Sequence, residues 1–323
     1  MAMRILVTGG AGFIGSHLCE RLVAEGHKVA VIDDFSTGRV ANLISLKNVV
    51  DFKLVEGSIL DTKVLAPLIE EADYVFHLAA AVGVFNIVNN PLASLLTNIR
   101  GTENVLEAAN STKTPVFLTS SSEVYGKNIS NSLKESDDRI LGSPITLRWS
   151  YSEAKAIDES LAYSYFIEKN LETRIVRFFN TVGPRQLGAY GMVVPRFVKA
   201  ALAGEPITIY GTGNQTRCFA HVYDVVDAVL AVAFADNTTG KVVNIGNNFE
   251  ISITDLAKKI ISETGSRSEI TYVPYAEAYG EGFEDMERRV PNIDLIRNLV
   301  GWRPKRDLST MIADISSEMQ KTH

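Results

Sequence analysis

The segment that most constrains this chain lies at its start. Arg4–Thr8 (Arg-Ile-Leu-Val-Thr) reads as a buried strand and runs directly into Gly9-Gly10-Ala11-Gly12-Phe13-Ile14-Gly15. Ile14, Leu18 and Leu22 then recur at helical spacing. A strand, a glycine-rich turn and a helix in that order demand a tight chain reversal and close packing of helix on strand. They also leave the first N–H groups of the helix free to face an anion. The framework is Gly9, Gly12 and Gly15, and position 10 reads as one that any small residue could fill.

The pattern then repeats as alternation. Lys28–Asp33, Asp73–Ala79, Pro115–Ser121 and Arg174–Asn180 read as buried strands rich in Val, Ile, Leu and Phe, with Phe52–Glu56 a weaker candidate. Amphipathic stretches lie between them, among them one carrying Leu95, Ile99 and Leu106 around Asn98. This predicts an α/β fold with a doubly wound, mostly parallel sheet covered by helices on both faces. After about Gly183 the loop-forming clusters multiply, at Gly183-Pro184-Arg185, Gly188–Gly191, Tyr210–Gln215 and Gly280–Gly282. We therefore expect residues 1–182, with a returning segment near 218–247, to form a dinucleotide-binding domain. Residues 183–323 should form mainly a smaller C-terminal substrate lobe.

Asp33 closes the second strand, where a carboxylate accepts hydrogen bonds from an adenosine ribose. Asp33-Asp34 would repel a 2′-phosphate and Arg39 lies downstream, so NAD is favoured over NADP. Tyr151 and Lys155 are four apart on a predicted helix running to about Lys169, and so share a face. With the oxidised nicotinamide, the Lys155 cation is expected to lower the Tyr151 phenol and make it a base. The net charge of −6 excludes a general nucleic-acid surface, so an anionic ligand needs local positive charge. The two cysteines, Cys19 and Cys218, form no metal-ligand cluster, and no zinc or other metal is expected. No apolar run has the length of a membrane span. The amino terminus enters the first strand without a signal-peptide pattern, so a cytoplasmic protein is expected. His27, His77 and His221 are isolated and read as packed or surface residues.

Thr8–Leu18 (TGGAGFIGSHL), His77-Leu78-Ala79-Ala80, Ser120–Gly126 (SSSEVYG), Tyr151–Lys155, Arg177–Asn180 (RFFN) and Arg217–Val222 (RCFAHV) follow one another in order. On these motifs the chain resembles, over nearly its whole length, the extended short-chain dehydrogenases that modify nucleotide sugars. The resemblance implies a Rossmann-like fold, NAD as cofactor and a nucleotide-sugar substrate, commonly UDP-linked. It implies that Ser121 holds the reacting hydroxyl, Tyr151 is the base and Lys155 also touches the nicotinamide ribose. Phe13, Ile14, Leu78, Ala79, Ala80, Ala81 and Phe178 would meet the cofactor, with Asn98 near the catalytic strand. Ser58-Ile59 stands where many relatives carry Asp-Ile for the adenine. Asn180, Val194 and Tyr210 would meet the substrate, Arg217 and Arg289 would grip its diphosphate, and Arg185 would face the sugar pocket or be a structural loop arginine. Relatives dimerise through helices equivalent to those near Pro91–Ala109 and Ser152–Glu168, so a homodimer is expected.

The family begins by oxidising the sugar at C4, and the residues beside Ser121 distinguish the later steps. Here they are Ser122 and Glu123. This pattern, with Arg148–Ser152 and Tyr279–Pro291, is most similar to UDP-glucuronate decarboxylases, with Arg289 then also near the reacting centre. The 4-epimerases remain the alternative, followed by GDP-mannose 4,6-dehydratases and by a non-catalytic NAD-binding scaffold. The last would have no need of Ser121, Tyr151 and Lys155, all of which are present.

Overall fold

The computed structural model describes residues 2–83, 89–188, 192–279 and 286–321. The expected clusters at 189–191 and 280–282, and residues 280–285 of the Tyr279–Pro291 segment, lie outside them. Seven parallel strands form the main sheet: β1 (Arg4–Thr8), β2 (Lys28–Asp33), β3 (Phe52–Glu56), β4 (Tyr74–His77), β5 (Val116–Ser121), β6 (Thr173–Phe178) and β11 (Val242–Ile245). Their spatial order is β11-β6-β5-β4-β1-β2-β3. This is a Rossmann-like fold, with the strand order reversing between β1 and β4. The weaker candidate, Phe52–Glu56, forms within the predicted limits. The strand expected over Asp73–Ala79 is shorter, because Asp73 turns out to pair with Arg4 at 2.6 Å and the chain beyond His77 leaves the sheet.

Helices cover both faces. On one, α1 (Phe13–Ala24) and α6 (Val222–Ala233) bury Leu18, Leu22, Val225 and Val229 against Ile5, Val7 and Val31. On the other, α2 (Thr62–Glu70), α3 (Pro91–Thr112) and α4 (Ser150–Lys169) bury Leu65, Val105, Leu106 and Ala162 against Leu6, Val75 and Leu118. Because β strands buried on two faces show no alternation, their sequences read as continuous apolar runs.

A third apolar cluster belongs to the C-terminal part. There α5 (Val193–Ala203), α7 (Ile253–Thr264) and α10 (Leu308–Lys321) enclose Phe197, Leu256, Ile260 and Ile312. Short strand pairs border it: β7 (Thr181–Val182) with β10 (Ala220–His221), β8 (Ile207–Tyr210) with β13 (Ile270–Val273), and β9 (Thr216–Cys218) with β12 (Glu250–Ser252). Two further helices are α8 (Tyr275–Tyr279) and α9 (Asp294–Val300). The segment 218–247 does return to the main sheet, contributing α6 and β11. Among the described residues no helix is long and apolar enough to cross a membrane.

Buried Asp224, in the first turn of α6, ties this framework to the C-terminal segment. Its Oδ2 accepts the N–H groups of Lys305 and Arg306 at 2.9 and 2.8 Å, and its Oδ1 meets the Arg306 guanidinium at 2.5 Å. Removing one side of such a pair strands the other. Asp224→Ala should therefore cost about 3 kcal/mol in urea unfolding. An unchanged midpoint would show that the 302–308 segment is held by its apolar contacts alone.

Candidate functional site

A cleft of about 710 Å³ runs across the carboxyl ends of the sheet strands and under the C-terminal lobe. Its first wall is the turn after β1. Gly9 has φ of +72°, and a Cβ there would lie 2.7 Å from the Ala79 nitrogen. A Cβ on Gly15 would lie 2.3 Å from the Gly9 carbonyl oxygen. Glycine is thus required by backbone touching backbone, with Gly12, Phe13 and Ile14 lining the cleft beside them. Position 10 departs from expectation: a Cβ on Gly10 would fall 2.6 Å from a Val31 methyl, so Val31 or α1 would have to shift to admit even alanine.

Asp33 and Asp34 also line the cleft. Asp33 accepts the N–H groups of Ala11 and Phe35, both at 2.9 Å, one on each carboxylate oxygen, leaving further lone pairs for a ligand. Burial pushes its carboxyl up from the ordinary value, against those two N–H groups. Arg39, remote in the chain, is brought into the same cleft, and its N–H donates to Ala11 O at 3.0 Å. Separation along the chain therefore does not keep Arg39 from the site.

Leu78, Ala79, Ala80 and Ala81 form the next wall as they leave β4, and Phe178 forms another at the end of β6. Two residues expected at the cofactor do not border the cleft themselves. Asn98 is not on the cleft surface: its side chain brackets Ala81, accepting from Ala81 N at 2.7 Å and donating to Ala81 O at 3.2 Å. It shapes the wall rather than forming it. Ser58 also stands off the cleft, its hydroxyl accepting the Leu60 N–H at 3.3 Å, while neighbouring Ile59 does line it. His77, Thr8 and Thr102 form a buried hydrogen-bonded group behind this wall, with contacts of 2.7 and 3.2 Å. Burial, with Lys155 adding to it, pulls the His77 imidazole down to about 3, so it stays neutral.

At the centre β5 delivers Ser121, and α4 delivers Tyr151 and Lys155 on one face. Tyr151 and Ser121 both line the cleft there. The Lys155 ammonium donates to Thr119 O and to buried Asp158, each at 3.1 Å. Burial, then the negative charges of Glu123 and Asp158, push the Tyr151 phenol up.

Ser122 and Glu123 follow Ser121 in a 3-10 turn, which Ser152 fastens to α4 by donating to Glu123 O at 2.6 Å. Glu123 is clasped by Arg148, at 2.6 and 3.2 Å, and by Arg289, at 2.8 Å. Burial opposes its ionisation, but the Arg289 and Arg148 charges prevail and hold its carboxyl well below the ordinary range. Arg289 also reaches Ser122 Oγ at 3.4 Å. These contacts put it at the reacting end of the cleft, the second of its two expected places. The sequence gives Arg148 no role of its own, although it opens the Arg148–Ser152 segment that carries part of the resemblance.

The C-terminal lobe supplies the far wall, with Asn180, Val194, Tyr210 and Arg217 lining the cleft. Asn180 donates to Cys218 O at 3.1 Å, and Arg217 to Thr216 O at 2.8 Å. Arg196, stacked 4.1 Å from the Tyr210 ring centre, is a lining residue that residue pattern did not reveal. Arg185 lines the cleft yet serves structure too, with φ of +69° and its guanidinium on Ser16 at 3.1 Å and Glu20 at 2.7 Å.

A family model described as GDP-mannose 4,6 dehydratase matches residues 6–315. Among curated proteins the chain is similar to UDP-N-acetyl-alpha-D-glucosaminuronate decarboxylase of Bacillus cytotoxicus. That protein is 40% identical over 305 residues, covering 94% of each chain. UDP-glucuronic acid decarboxylase 1 of Xenopus tropicalis is 38% identical over 303 residues, covering 93% of this chain and 68% of that one. Among solved structures, UDP-glucuronic acid 4-epimerase from Bacillus cereus, in complex with UDP-glucuronic acid and NAD, superposes with a TM-score of 0.89. It is 29% identical, with 99% of this chain and all of that one covered.

The Glu123 geometry has a pH signature. A carboxyl ionising more readily folded than unfolded contributes stability that is complete above about pH 4.3 and is lost as pH falls toward its folded value. The difference in urea midpoint between the protein and Glu123→Gln should therefore be full at pH 7 and narrow below about pH 4.3. A constant difference down to pH 3 would contradict the assigned charge state.

Proposed function

The chain belongs to the family described as GDP-mannose 4,6 dehydratase, within the extended short-chain dehydrogenases, and from that membership we propose that it is an NAD-dependent decarboxylase of a UDP-linked uronic acid. The observation that carries this reading is the ionised Glu123 clasped by Arg148 and Arg289 beside Ser121 and Tyr151. A 4,6-dehydratase must protonate a departing hydroxyl, and this chain has Ser122 where those acting on thymidine-linked sugars place the Asp that does so. A uronate instead brings a second carboxylate, and guanidiniums at the reacting end of the cleft are groups that bind one.

The cleft fits NAD. A glycine turn without room for a Cβ admits a pyrophosphate against backbone N–H groups at the start of α1. Asp33 would hold the adenosine ribose, and Leu78–Ala81 with Phe178 would flank the rest. When bound, NAD supplies the hydride acceptor for the sugar's C4. Tyr151 accepts the C4 hydroxyl proton, Ser121 orients that hydroxyl, and Lys155 opposes the negative charge of the phenolate. With a ketone at C4, the C6 carboxylate is β to a carbonyl. The C5–C6 bond breaks, carbon dioxide leaves, and the electron pair passes into a C4–C5 enolate. The Tyr151 phenol donates to its oxygen until C5 takes a proton from water, which restores the ketone.

In this reading residues 1–182 and 218–247 hold the cofactor, and the rest mainly holds the sugar nucleotide. A cytoplasmic setting suits two free, buried thiols. A homodimer through α3 and α4 is supported by apolar side chains standing on their surfaces, with Leu92 68% and Ile167 55% exposed. The likeness to a UDP-glucuronic acid 4-epimerase favours C4 epimerisation of the same substrate as the second reading.

Proton NMR of the protein with UDP-glucuronate and NAD should show a UDP-linked pentose or 4-ketopentose growing in. UDP-galacturonate without loss of carbon dioxide would make it the epimerase instead. Tyr151→Phe should lower turnover roughly a thousandfold while NAD still binds, and a smaller loss would dismiss Tyr151 as the base. Light scattering should give twice the chain mass, and a monomer would leave those helix faces without the proposed partner.

A further inference from the structure

The helix that delivers Tyr151 and Lys155 carries a further buried charge with no part in the steps above. Asp158 lies three residues beyond Lys155 on α4, is fully buried, and takes the Lys155 ammonium on its Oδ2 at 3.1 Å. The same ammonium donates to Thr119 O at 3.1 Å. An ammonium has three N–H donors, so two are committed inside the protein and one remains for the cleft that Lys155 lines. Holding a lysine in place needs only an acceptor, and a neutral amide would serve. A carboxylate taken fully out of water is costly, and burial does push the Asp158 carboxyl up, with the Lys155 charge opposing it. What the carboxylate adds over an amide is charge: Lys155 and Asp158 together are a neutral pair.

Other charged or titratable groups stand on the elements around it. The turn after β5 brings Glu123, paired with Arg148 and Arg289, and Tyr125, on whose ring Arg177 lies. Strand β4 brings His77, which burial and then Lys155 keep neutral. Strand β6 brings Arg177, paired with Glu159 of α4, and Arg174, paired with Glu172. From α3 comes the Thr102 hydroxyl, while its Arg100, Glu103 and Glu107 are exposed. Burial first, then Glu123 and Asp158, hold the proton on Tyr151. We propose that Asp158 is a positioning residue that ties the Tyr151 proton to the oxidation state of the bound cofactor: it holds the Lys155 ammonium in place and balances its charge, so that the positive charge of an oxidised nicotinamide decides when Tyr151 is a base. The inference rests on the reading of Tyr151 as the base for the sugar's C4 hydroxyl, and uses nothing of the later loss of carbon dioxide.

With NAD bound, the positive charge of the ring acts beside a neutral pair rather than adding to a lone cation. The Tyr151 phenol gives its proton to solvent and stands ready as a phenolate. It then takes the proton of the C4 hydroxyl as the hydride leaves C4, and the ring becomes neutral. From that point the Lys155–Asp158 pair no longer favours a phenolate. Tyr151 keeps the proton and remains a donor to the new carbonyl oxygen. A Lys155 without its carboxylate would favour the phenolate under either form of the cofactor, and the donor would be lost when it is needed.

The test reads the phenol directly. Carbon NMR of NAD-saturated protein, isotope-labelled at the tyrosine Cζ and with the Tyr151 signal identified by its loss in Tyr151→Phe, gives the pH at which that phenol ionises. Expected is a midpoint lower by about one pH unit in Asp158→Asn, with Asp158→Glu, which keeps the charge, returning toward the parent value. The parent saturated with NADH should ionise at higher pH than with NAD. A merely structural Asp158 would leave the midpoint where it is, and one that serves to keep Lys155 protonated would raise it on substitution. Either result, a signal that moves in neither protein while both stay folded, or equal parent midpoints with the two cofactors would overturn the proposal. If Asp158→Asn does not fold, Asp158→Ser, neutral and smaller, carries the same expectation. Turnover separates the two claims. Full turnover in Tyr151→Phe removes the base reading whatever the titration shows. An inactive Tyr151→Phe with an unmoved midpoint in Asp158→Asn removes this inference alone.

Discussion

The reversal of strand order between β1 and β4 is what opens this molecule. Chain leaving β1 turns toward β2 and β3, while chain leaving β4 proceeds toward β5 and β6 on the other side. The two connections diverge and leave a crevice above the carboxyl ends. The crevice survives because its walls meet at backbone distance below it, with Gly9 against Ala79 and Gly15 against Gly9. A side chain at either glycine would push α1 off β1 and move every group that borders the cleft. Asp33, Leu78, Ser121 and Phe178 all stand at or just beyond strand ends, so each takes its position from the sheet.

Within that frame the site is a set of buried charges, each with a counter-charge. Lys155 has Asp158, Glu123 has two arginines, and Arg177 has Glu159, which Ser120 also reaches. Buried pairs of this kind contribute little net stability, since desolvation offsets attraction. Their use is orientation. Each long side chain is held in one geometry before any ligand arrives, which is the condition for electrostatic catalysis. The balance also explains why Tyr151 is not basic by itself. Burial and two nearby carboxylates hold its proton on, and the Lys155 charge is directed to Asp158.

The C-terminal lobe is attached by contacts that reach the cofactor helix directly. Arg185 pairs with Glu20 of α1 and its backbone N–H donates to Glu318 of α10, while the His17 ring meets Pro184 O at 3.0 Å. Asp224 adds the anchor for residues 305–306. One helix thus carries the glycine turn at its start and the lobe's attachment along its outer side. Both halves of the cleft are referred to the same rigid element.

Sequence alone determined whatever depends on residues close together in the chain. The strand–glycine–helix unit, the limits of β1, β2 and β3, and the shared face of Tyr151 and Lys155 all come from local periodicity and spacing. Family resemblance extended this to Ser121, Leu78–Ala81 and Phe178, which do line the cleft. Only the tertiary structure decided the pairings across long separations. Arg289 and Ser122 are 167 positions apart, yet they meet, and the same guanidinium pairs with Glu123. Asn98 and Ser58 stand off the surface, Arg39 arrives on it, and Gly10 has no room for a side chain, each because of how one element packs on another. Short-range pattern encodes the dihedral preferences and burial of one segment. Which side chains share a charge depends on several segments docking together, and no single stretch of residues contains that information.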